Sequence, residues 1–413
     1  MDNIILYAIP AFVFFVLLEA YYGYRAKKDY YRLNDTLTNL SLGIGSQLSS
    51  VLTKGVIFGF YIYIYNHFAV LKLPRTLWSF ALCLVLLDFL YYWAHRLSHE
   101  INFLWGAHVA HHQSEEYNLS VALRQSWLQN LLVSFIFLPL ALAFDPLTFG
   151  AAIGIDTLYQ FWIHTRVIGK MHPLVEYFFN TPSHHRVHHA VNPKYIDKNH
   201  AGIFIIWDRM FGTFRVEDAA EEITYGITTQ FKSWNPVWAN LHYYAEIGEK
   251  MKQMKWRDRL RMVFARPGWL PDYLGGFQPV KEVDRNAYEK YDADTTGGFR
   301  AYGAVQFAIV LVGLLAYLDD FAAMTTFYKW FFASMMVISI LIIGGIFERR
   351  KWTVWAEVVR LMLVLATVNS FYYYWHNGWL LKIEIISLVS FAVSMVWFTI
   401  SVSRHAQERE WSA

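Results

Sequence analysis

The sequence predicts an all-α polytopic membrane protein with about nine membrane-crossing or re-entrant helices. Three observations predict this fold class. Of the 413 residues, 55% are hydrophobic and only 17% are charged, whereas a soluble domain carries roughly 25% charged residues. The mean hydropathy is positive, at +0.24, which excludes a disordered chain. The apolar residues also lie in long runs, and a bilayer core needs about 20 such residues per helix.

Charge balance and cysteine content exclude further classes. The 36 Lys+Arg against 33 Asp+Glu give a net charge of +3, which is too balanced to indicate a nucleic-acid partner. The single cysteine, Cys83, lies inside an apolar run, so neither a disulfide framework nor a cysteine-based zinc site is expected. The 16 histidines are, in contrast, numerous and unevenly distributed.

Nine apolar runs are the candidates for the membrane helices. The first run lacks a basic N-terminal region, so we interpret it as a retained anchor rather than a signal peptide. Two short central runs flank Asp145-Pro146, which predicts a hairpin that either crosses the membrane or only enters it. Four more runs follow late in the chain. The runs cover residues 4–21, 42–65, 77–93, 128–144, 147–163, 302–318, 327–347, 354–375 and 379–402.

The charges of the loops predict the orientation, because basic loops stay on the cytoplasmic side. The segment after the first run is basic, whereas the segment after the second holds only Lys72 and Arg75. Arg349, Arg350 and Lys351 form a later basic loop. This pattern places the N-terminus outside and the C-terminus inside, in a bacterial inner membrane or the endoplasmic reticulum.

Composition divides the chain into three predicted parts. Residues 1–214 hold transmembrane helices and the histidine clusters, residues 215–300 form a polar cytoplasmic cap segment, and residues 301–413 form a C-terminal region of four transmembrane helices. Within the cap, residues 250–261 interleave basic and apolar side chains. This segment is either an amphipathic helix on the membrane surface or a solvated helix whose apolar face packs on the cap.

Three histidine clusters follow the spacing of helical faces, on which residues three and four apart are neighbours. Clustered imidazolium ions repel one another, and burying them without partners is costly. A metal ion resolves both problems by sharing the lone pairs, so the clusters favour metal binding over a phosphate-binding or pH-sensing role. The clusters are His95 with His99; His108 with His111 and His112; and His185 with His188 and His189.

The number of imidazoles indicates two metal ions. Four ligands satisfy a structural zinc, so eight imidazoles without a thiolate predict a dinuclear centre at the cytoplasmic ends of the helices. Imidazole suits zinc, copper, iron and nickel alike. Haem is disfavoured because its ligands are single histidines on facing helices. His164 is a candidate for a further ligand, His184 adjoins the third cluster, and isolated histidines such as His200 are interpreted as structural.

The cluster patterns HxxxH, HxxHH and HxxHH resemble those of the fatty acid hydroxylase and sterol desaturase superfamily. The sequence segments that flank the clusters resemble those of the branch of that superfamily that oxidises alkylglycerols. The matched core extends from about Asp88 to Phe214. It consists of the segments 88–100, 111–120, 122–126, 180–189, 196–199 and 206–214.

The resemblance implies a membrane-bound, non-haem di-iron monooxygenase that hydroxylates a lipid C–H bond with O2. In that branch the reaction falls on the ether-linked carbon and gives a fatty aldehyde plus a glycerol derivative, with tetrahydrobiopterin as the reductant. The iron ligands implied are the eight clustered histidines. Glu100 is implied to be catalytic, as a residue that orients a histidine or carries protons. Arg124 could face an anionic head group, snorkel or cap a helix.

Two other functions stay open from the residues alone. One is a sterol or fatty acid hydroxylase or desaturase of the same superfamily, which receives electrons from a ferredoxin or a cytochrome. The other is a non-catalytic metal or lipid transporter. Transport favours ionisable residues near the bilayer midplane, and we interpret the apolar runs as nearly free of them. The sequence leaves the oligomeric state open.

Overall fold

The computed structural model describes residues 2–284, 287–375 and 381–408, and within these ranges it contains helices but no β-strand. In the same ranges, one isolated antiparallel β-bridge pairs Ala190 with Tyr225. The α-helices are α1 (Asp2–Arg25), α2 (Leu33–Phe68), α3 (Leu77–Glu100), α4 (Asn102–Gly106), α5 (Val109–His112), α6 (Leu119–Ala122), α7 (Gln129–Val133), α8 (Pro146–Trp162), α9 (Pro173–Phe178), α10 (Pro182–His188), α11 (Ile206–Met210), α12 (Pro236–Lys252), α13 (Trp256–Phe264), α14 (Gly297–Asp320), α15 (Thr326–Phe347), α16 (Thr353–Trp375) and α17 (Leu381–Glu408).

The chain folds into two compact units. One unit consists of Phe12–Phe231 and Trp238–Lys290, and the other consists of Met1–Ala11, Lys232–Val237 and Tyr291–Ala413. The predicted division at residues 214 and 300 stays a prediction.

Within the part of the chain that the structure describes, five helices are long and apolar enough to cross a membrane, which makes the chain a multi-pass membrane protein. They are α3, α14, α15, Trp352–Tyr373 and Leu381–Ser403, and α2 adds a sixth if its two halves, bent by 45°, form one span. The first two residues of the predicted run 379–402 lie outside the described residues.

The predicted count of nine spans is not confirmed. The run 128–144 forms α7 and a 3-10 helix, Ser134–Leu142, with Pro139 inside it. The next run forms α8, whose 17 residues reach about 26 Å at 1.5 Å per residue, less than the roughly 30 Å of a bilayer core. Asp145 accepts hydrogen bonds from the backbone N–H groups of Leu147 and Thr148 and so begins α8 at the predicted turn.

The larger unit surrounds α3, which carries the first histidine cluster at its C-terminal end. Thr76 caps the start of α3 by accepting a hydrogen bond from the backbone of Ser79, at 3.2 Å. Cys83 and Leu87 on α3 pack in a core with Tyr61 of α2 and Phe149 of α8. This core fixes the direction of α3, and therefore the position of its last turn.

The smaller unit contains the four long helices α14–α17, and it contradicts the interpretation that the spans are nearly free of ionisable residues. Glu357 and Arg360 of α16 are buried, with exposed fractions of 0% and 2%. The Arg360 guanidinium donates hydrogen bonds of 2.6 Å to the Glu357 carboxylate and to the side-chain oxygen of Gln306 on α14. Tyr302 of α14 donates a hydrogen bond to the same carboxylate. The ion pair therefore joins two helices inside the unit.

Candidate metal centre

The structure brings the nine candidate histidine ligands together in two buried groups. Within each group the potential donor atoms lie within 4.8 Å of one another. The five-histidine group consists of His95, His99, His108, His112 and His188, and the four-histidine group consists of His111, His164, His185 and His189.

Helical spacing explains how each cluster is divided between the groups. His108 and His112 are four residues apart and lie in the five-histidine group, whereas His111 of the same cluster lies in the other group. The cluster at α10 has the opposite division. His185 and His189 lie in the four-histidine group, whereas His188 lies in the five-histidine group. A pair at i and i+4 points to the same side of a helix, so each HxxHH sequence contributes to both groups.

The distances between the ring nitrogens match those between ligands of one metal ion. The Nε2 atom of His108 lies 3.1 Å from Nε2 of both His95 and His112. In the four-histidine group, Nε2 of His164 lies 3.0 Å from that of His185 and 3.4 Å from that of His111. Two nitrogens bound to one metal at about 2.1 Å lie roughly 3.0 to 3.4 Å apart, in octahedral or tetrahedral geometry.

Backbone carbonyls fix which nitrogen of several rings carries the proton. Nδ1 of His95 donates to the carbonyl of His200 at 2.8 Å. Nδ1 of His111 donates to the carbonyl of Arg124 at 2.9 Å. His164 and His188 donate in the same way to the carbonyls of Gln160 and Lys198, at 2.7 and 2.9 Å. A carbonyl oxygen can only accept, so the Nε2 atoms present lone pairs. Lone pairs that face one another at these distances repel unless a cation lies between them, so the residues fit two metal ions.

Burial keeps the imidazoles neutral and therefore able to bind a metal. It lowers the pKa of His111 to about 4. The pKa values of His112, His188 and His189 are lowered well below the ordinary value. Burial is the larger cause, and repulsion between neighbouring imidazolium charges is the smaller one. Ligand nitrogens must be unprotonated, so these shifts favour metal binding at neutral pH.

Buried carboxylates hold the loop that supplies one of these carbonyls. The Asp208 carboxylate accepts hydrogen bonds of 2.8 Å from the backbone N–H groups of His200 and Ala201. The Asp88 carboxylate of α3 accepts from those of Ile203 and Phe204, at 2.6 and 3.0 Å. The carbonyl that accepts from His95 is therefore fixed from both sides.

The sequence reasoning missed these residues, although a signal existed for Asp88. A lone carboxylate inside an apolar run needs a partner, and its partners are the backbone amides of this loop. Asp197, which was also missed, lies 3.3 Å from Nδ1 of His99 through one carboxylate oxygen. Asp197 and Asn199 both have positive φ values, 54° and 57°, a conformation that Asp and Asn tolerate better than most residues.

Arg124 is enclosed in protein rather than directed at a lipid head group. Its exposed fraction is 2%, and its guanidinium donates hydrogen bonds to the Ala110 carbonyl, the Asn39 side chain and the Gln113 side chain, at 2.5, 2.9 and 2.7 Å. Since its own carbonyl accepts from His111, Arg124 holds a ring of the second cluster through its backbone and the adjoining Ala110 and Gln113 through its side chain.

Three further residues considered from the sequence lie outside the two groups. Glu100 accepts a hydrogen bond from Arg96 at 3.0 Å and lies 3.8 Å from Arg266, so its described polar partners are arginines. His184 is buried and lies 3.1 Å from the Glu176 carboxylate through Nε2. His200 is also buried, and its ring lies 5.0 Å from that of His99 between centroids, which places it against the five-histidine group.

Known proteins show which family combines these histidine clusters with membrane helices. A family model described as Fatty acid hydroxylase matches residues 80–213, a range that contains all nine grouped histidines. Alkylglycerol monooxygenase of Xenopus tropicalis is 34% identical over 96% of this chain and 89% of its own length. The enzymes of that name from Homo sapiens and Danio rerio are 36% and 35% identical over 87% of this chain, and over 81% and 80% of their own lengths.

The fold and the histidine groups thus define a membrane-bound oxidoreductase with a fatty acid hydroxylase domain. The chain belongs to the alkylglycerol monooxygenase family, and it is a lipid monooxygenase that uses O2 and a lipid substrate. The comparisons confirm the family that the histidine clusters and their flanking sequence segments predict. No solved structure matches the chain.

Proposed function

We propose that the two histidine groups hold two iron ions and that the enzyme hydroxylates the ether-linked carbon of alkylglycerols. One observation carries the metal assignment, namely the convergence of Nε2 lone pairs from rings whose Nδ1–H groups are fixed by carbonyls. The five-histidine group would hold one ion and the four-histidine group the other. The names of the relatives support the substrate class.

Iron, when bound, supplies the O2 activation that an unreactive C–H bond requires. The overall reaction inserts one oxygen atom into the C–H bond beside the ether oxygen, and the other leaves as water. Two electrons and two protons come from a reductant, for which we propose tetrahydrobiopterin. The hemiacetal product then breaks its C–O bond to give a fatty aldehyde and a glycerol derivative.

The residues of the chain hold the ligand rings in place and exclude water from the site. The carbonyls of His200, Arg124, Gln160 and Lys198 fix the ligand rings, and the buried position of all nine rings excludes water from the metals. Glu100, which faces arginines, is proposed as a proton carrier rather than as a residue that orients a ligand. The basic segments predict that the site lies on the cytoplasmic face.

Metal analysis of single-residue variants tests the ligand assignment. The purified enzyme is expected to hold two irons per chain, and His111→Ala and His188→Ala are each expected to lose iron from a different group. His184→Ala serves as a matched control, because this neighbouring buried histidine lies outside both groups. Full iron content in the two ligand variants would remove the assignment.

A substrate assay tests the proposed reaction separately. The membrane-reconstituted enzyme is supplied with an alkylglycerol, O2 and reduced tetrahydrobiopterin, and fatty aldehyde is measured. Aldehyde in equimolar yield with oxidised pterin is the expected result. Oxidation of a sterol or fatty acid without aldehyde, driven by a ferredoxin or cytochrome, would instead support the other function open within the superfamily.

A further inference from the structure

The helix α13 presents two different apolar faces, of which only one is used by the fold. Met262 of α13 is buried in a core with Ile247 and Met254. Trp256, Leu260 and Phe264 are in contrast exposed, by 65%, 59% and 73%. They are four residues apart and therefore form a stripe along one side of the helix. Three large exposed apolar side chains in a row indicate a surface with a partner.

Basic side chains flank this stripe on both sides. At about 100° per residue, Arg257 and Arg261 follow one edge of the stripe and Arg259 lies beyond the other. Together with Lys255, which precedes the helix, these cations are exposed, and none of the four forms an ion pair with a described carboxylate. An apolar stripe with cations along its edges is typical of a helix that lies in a membrane interface.

Hydrogen bonds fix α13 at the end of a membrane span. The backbone N–H of Asn102 donates to the Ala265 carbonyl at 2.9 Å, and its side chain donates to the Met262 and Arg266 carbonyls at 2.9 and 3.2 Å. Asn102 follows α3, which ends at Glu100. The 24 residues of α3 extend about 36 Å, somewhat more than the roughly 30 Å of a bilayer core. The C-terminal end of α13 therefore lies at head-group depth.

We propose that α13 is an interfacial helix that docks on the anionic lipids of the membrane that holds the chain. Trp256, Leu260 and Phe264 enter the boundary between head groups and acyl chains, while Arg257, Arg259 and Arg261 bind lipid phosphates or carboxylates. Residues 250–261 are interpreted from the sequence either as an amphipathic helix on the membrane surface or as a helix packed on the cap. Packing on the protein applies to Met254, whereas a position on the membrane surface applies to the exposed stripe that begins at Trp256. An acidic soluble protein is the other partner that would suit these cations. The adjoining apolar stripe and the depth of α13 favour lipid.

A fluorescent label on the stripe tests the proposal in the full-length, metal-loaded enzyme. Cys83 is buried, with an exposed fraction of 0%, so Leu260→Cys introduces the accessible thiol that a thiol-reactive fluorophore labels. Wild-type protein treated with the same reagent reports any background labelling. Glu249→Cys is the matched control on α12, because the Glu249 side chain is 71% exposed and polar. An unfolding transition equal to that of the wild type verifies that each labelled protein is folded.

The labelled proteins are reconstituted in phosphatidylcholine vesicles with and without phosphatidylserine, and quenching by lipids spin-labelled near the head group is measured. The label at Leu260→Cys is expected to be quenched several-fold more than that at Glu249→Cys, increasingly so with phosphatidylserine. Each cation near an anionic surface strengthens binding about five-fold. The triple variant Arg257→Gln, Arg259→Gln and Arg261→Gln is therefore expected to lower the equilibrium constant for docking of α13 on phosphatidylserine-containing membrane by about 100-fold, which brings lipid quenching at Leu260→Cys down to its level in phosphatidylcholine alone.

Two results would overturn the proposal. In one, both labels are quenched equally by aqueous iodide and neither by lipid, which would place the stripe in water and leave it to a soluble partner. In the other, lipid quenching at Leu260→Cys is independent of phosphatidylserine and unchanged in the triple variant, which would remove the role of the cations. Neither readout depends on catalysis, so the outcome is separate from that of the proposed function.

Discussion

Replacing Arg124 by methionine is expected to release metal from the four-histidine group and to destabilise the unit that contains it. The substitution keeps most of the apolar stem but removes three hydrogen bonds, to Ala110, Asn39 and Gln113. Burial lowers the pKa of Arg124 to about 10, so the guanidinium is still charged at neutral pH.

The size of the effect follows from the acceptors that are left unpaired. Each buried acceptor without a partner costs about 1 to 3 kcal/mol, and three of them set an upper limit of about 9 kcal/mol. Removing a guanidinium that is itself costly to bury offsets part of that loss. A net cost of about 3 to 5 kcal/mol is expected, similar to that of removing one partner of a buried charged pair.

Metal content and unfolding in mixed micelles measure the two effects. The Ala110 carbonyl adjoins His111, whose ring is held by the carbonyl of Arg124 itself, so metal affinity is expected to fall by about 10- to 100-fold. Arg75→Met is the matched control, because Arg75 is 64% exposed in its ion pair with Asp145. Its loss is worth about 0 to 1 kcal/mol. An Arg124→Met enzyme with two irons and a stability within about 1 kcal/mol of the wild type would refute this reasoning.

Three other predictions test the surroundings of the site and the smaller unit. Gly202→Ala is expected to lower the free energy of unfolding by about 1 to 3 kcal/mol, because a Cβ atom would lie 2.7 Å from the Asp88 carboxylate; an unchanged unfolding midpoint would contradict this close packing. Arg360→Met is expected to lower the free energy of unfolding by about 3 to 5 kcal/mol, and the double variant with Glu357→Leu is expected to lower it by less. A double-mutant cycle of unfolding measures this coupling, and additive losses would disprove it. Glu100→Gln is expected to retain two irons while turnover falls, and loss of iron by metal analysis would show that Glu100 supports a ligand.

The candidate site could be predicted further from the sequence than its surroundings. Repeated spacings of three and four indicate the eight clustered histidines as candidates from the sequence alone, and His164 joins them because it ends the predicted hairpin. The division of each HxxHH sequence between two groups could not be predicted, because it depends on how α5 and α10 face each other. The role of Asp208 was hidden, since its partners beside the site are backbone amides, which carry no sequence signal, whereas Asp88 signalled only that a carboxylate inside an apolar run needs a partner.

The fold shows a similar limit, which lies in the short apolar runs. Composition identifies the long spans because hydropathy over about 20 residues is decisive. Length and backbone geometry decide the rest, and residues 128–144 become a short helix followed by a 3-10 helix that contains Pro139. An apolar run of this kind buries its side chains against α2 and α3 without needing to cross a bilayer. Hydropathy alone does not separate these two outcomes.

The ion pair in α16 changes the reason for disfavouring transport. Ionisable residues in a membrane span often mark a pathway for ions or substrates, so the presence of Glu357 and Arg360 removes the argument from their absence. Their contacts supply a better one. Arg360 bonds to Glu357 and Gln306, Tyr302 donates to Glu357, and the Gln306 amide donates to Ser394 at 2.9 Å. A pathway needs groups that exchange their partners with water or cargo, whereas the members of this network are buried and, among the described residues, bond to one another, so they join α14, α16 and α17 as a structural unit.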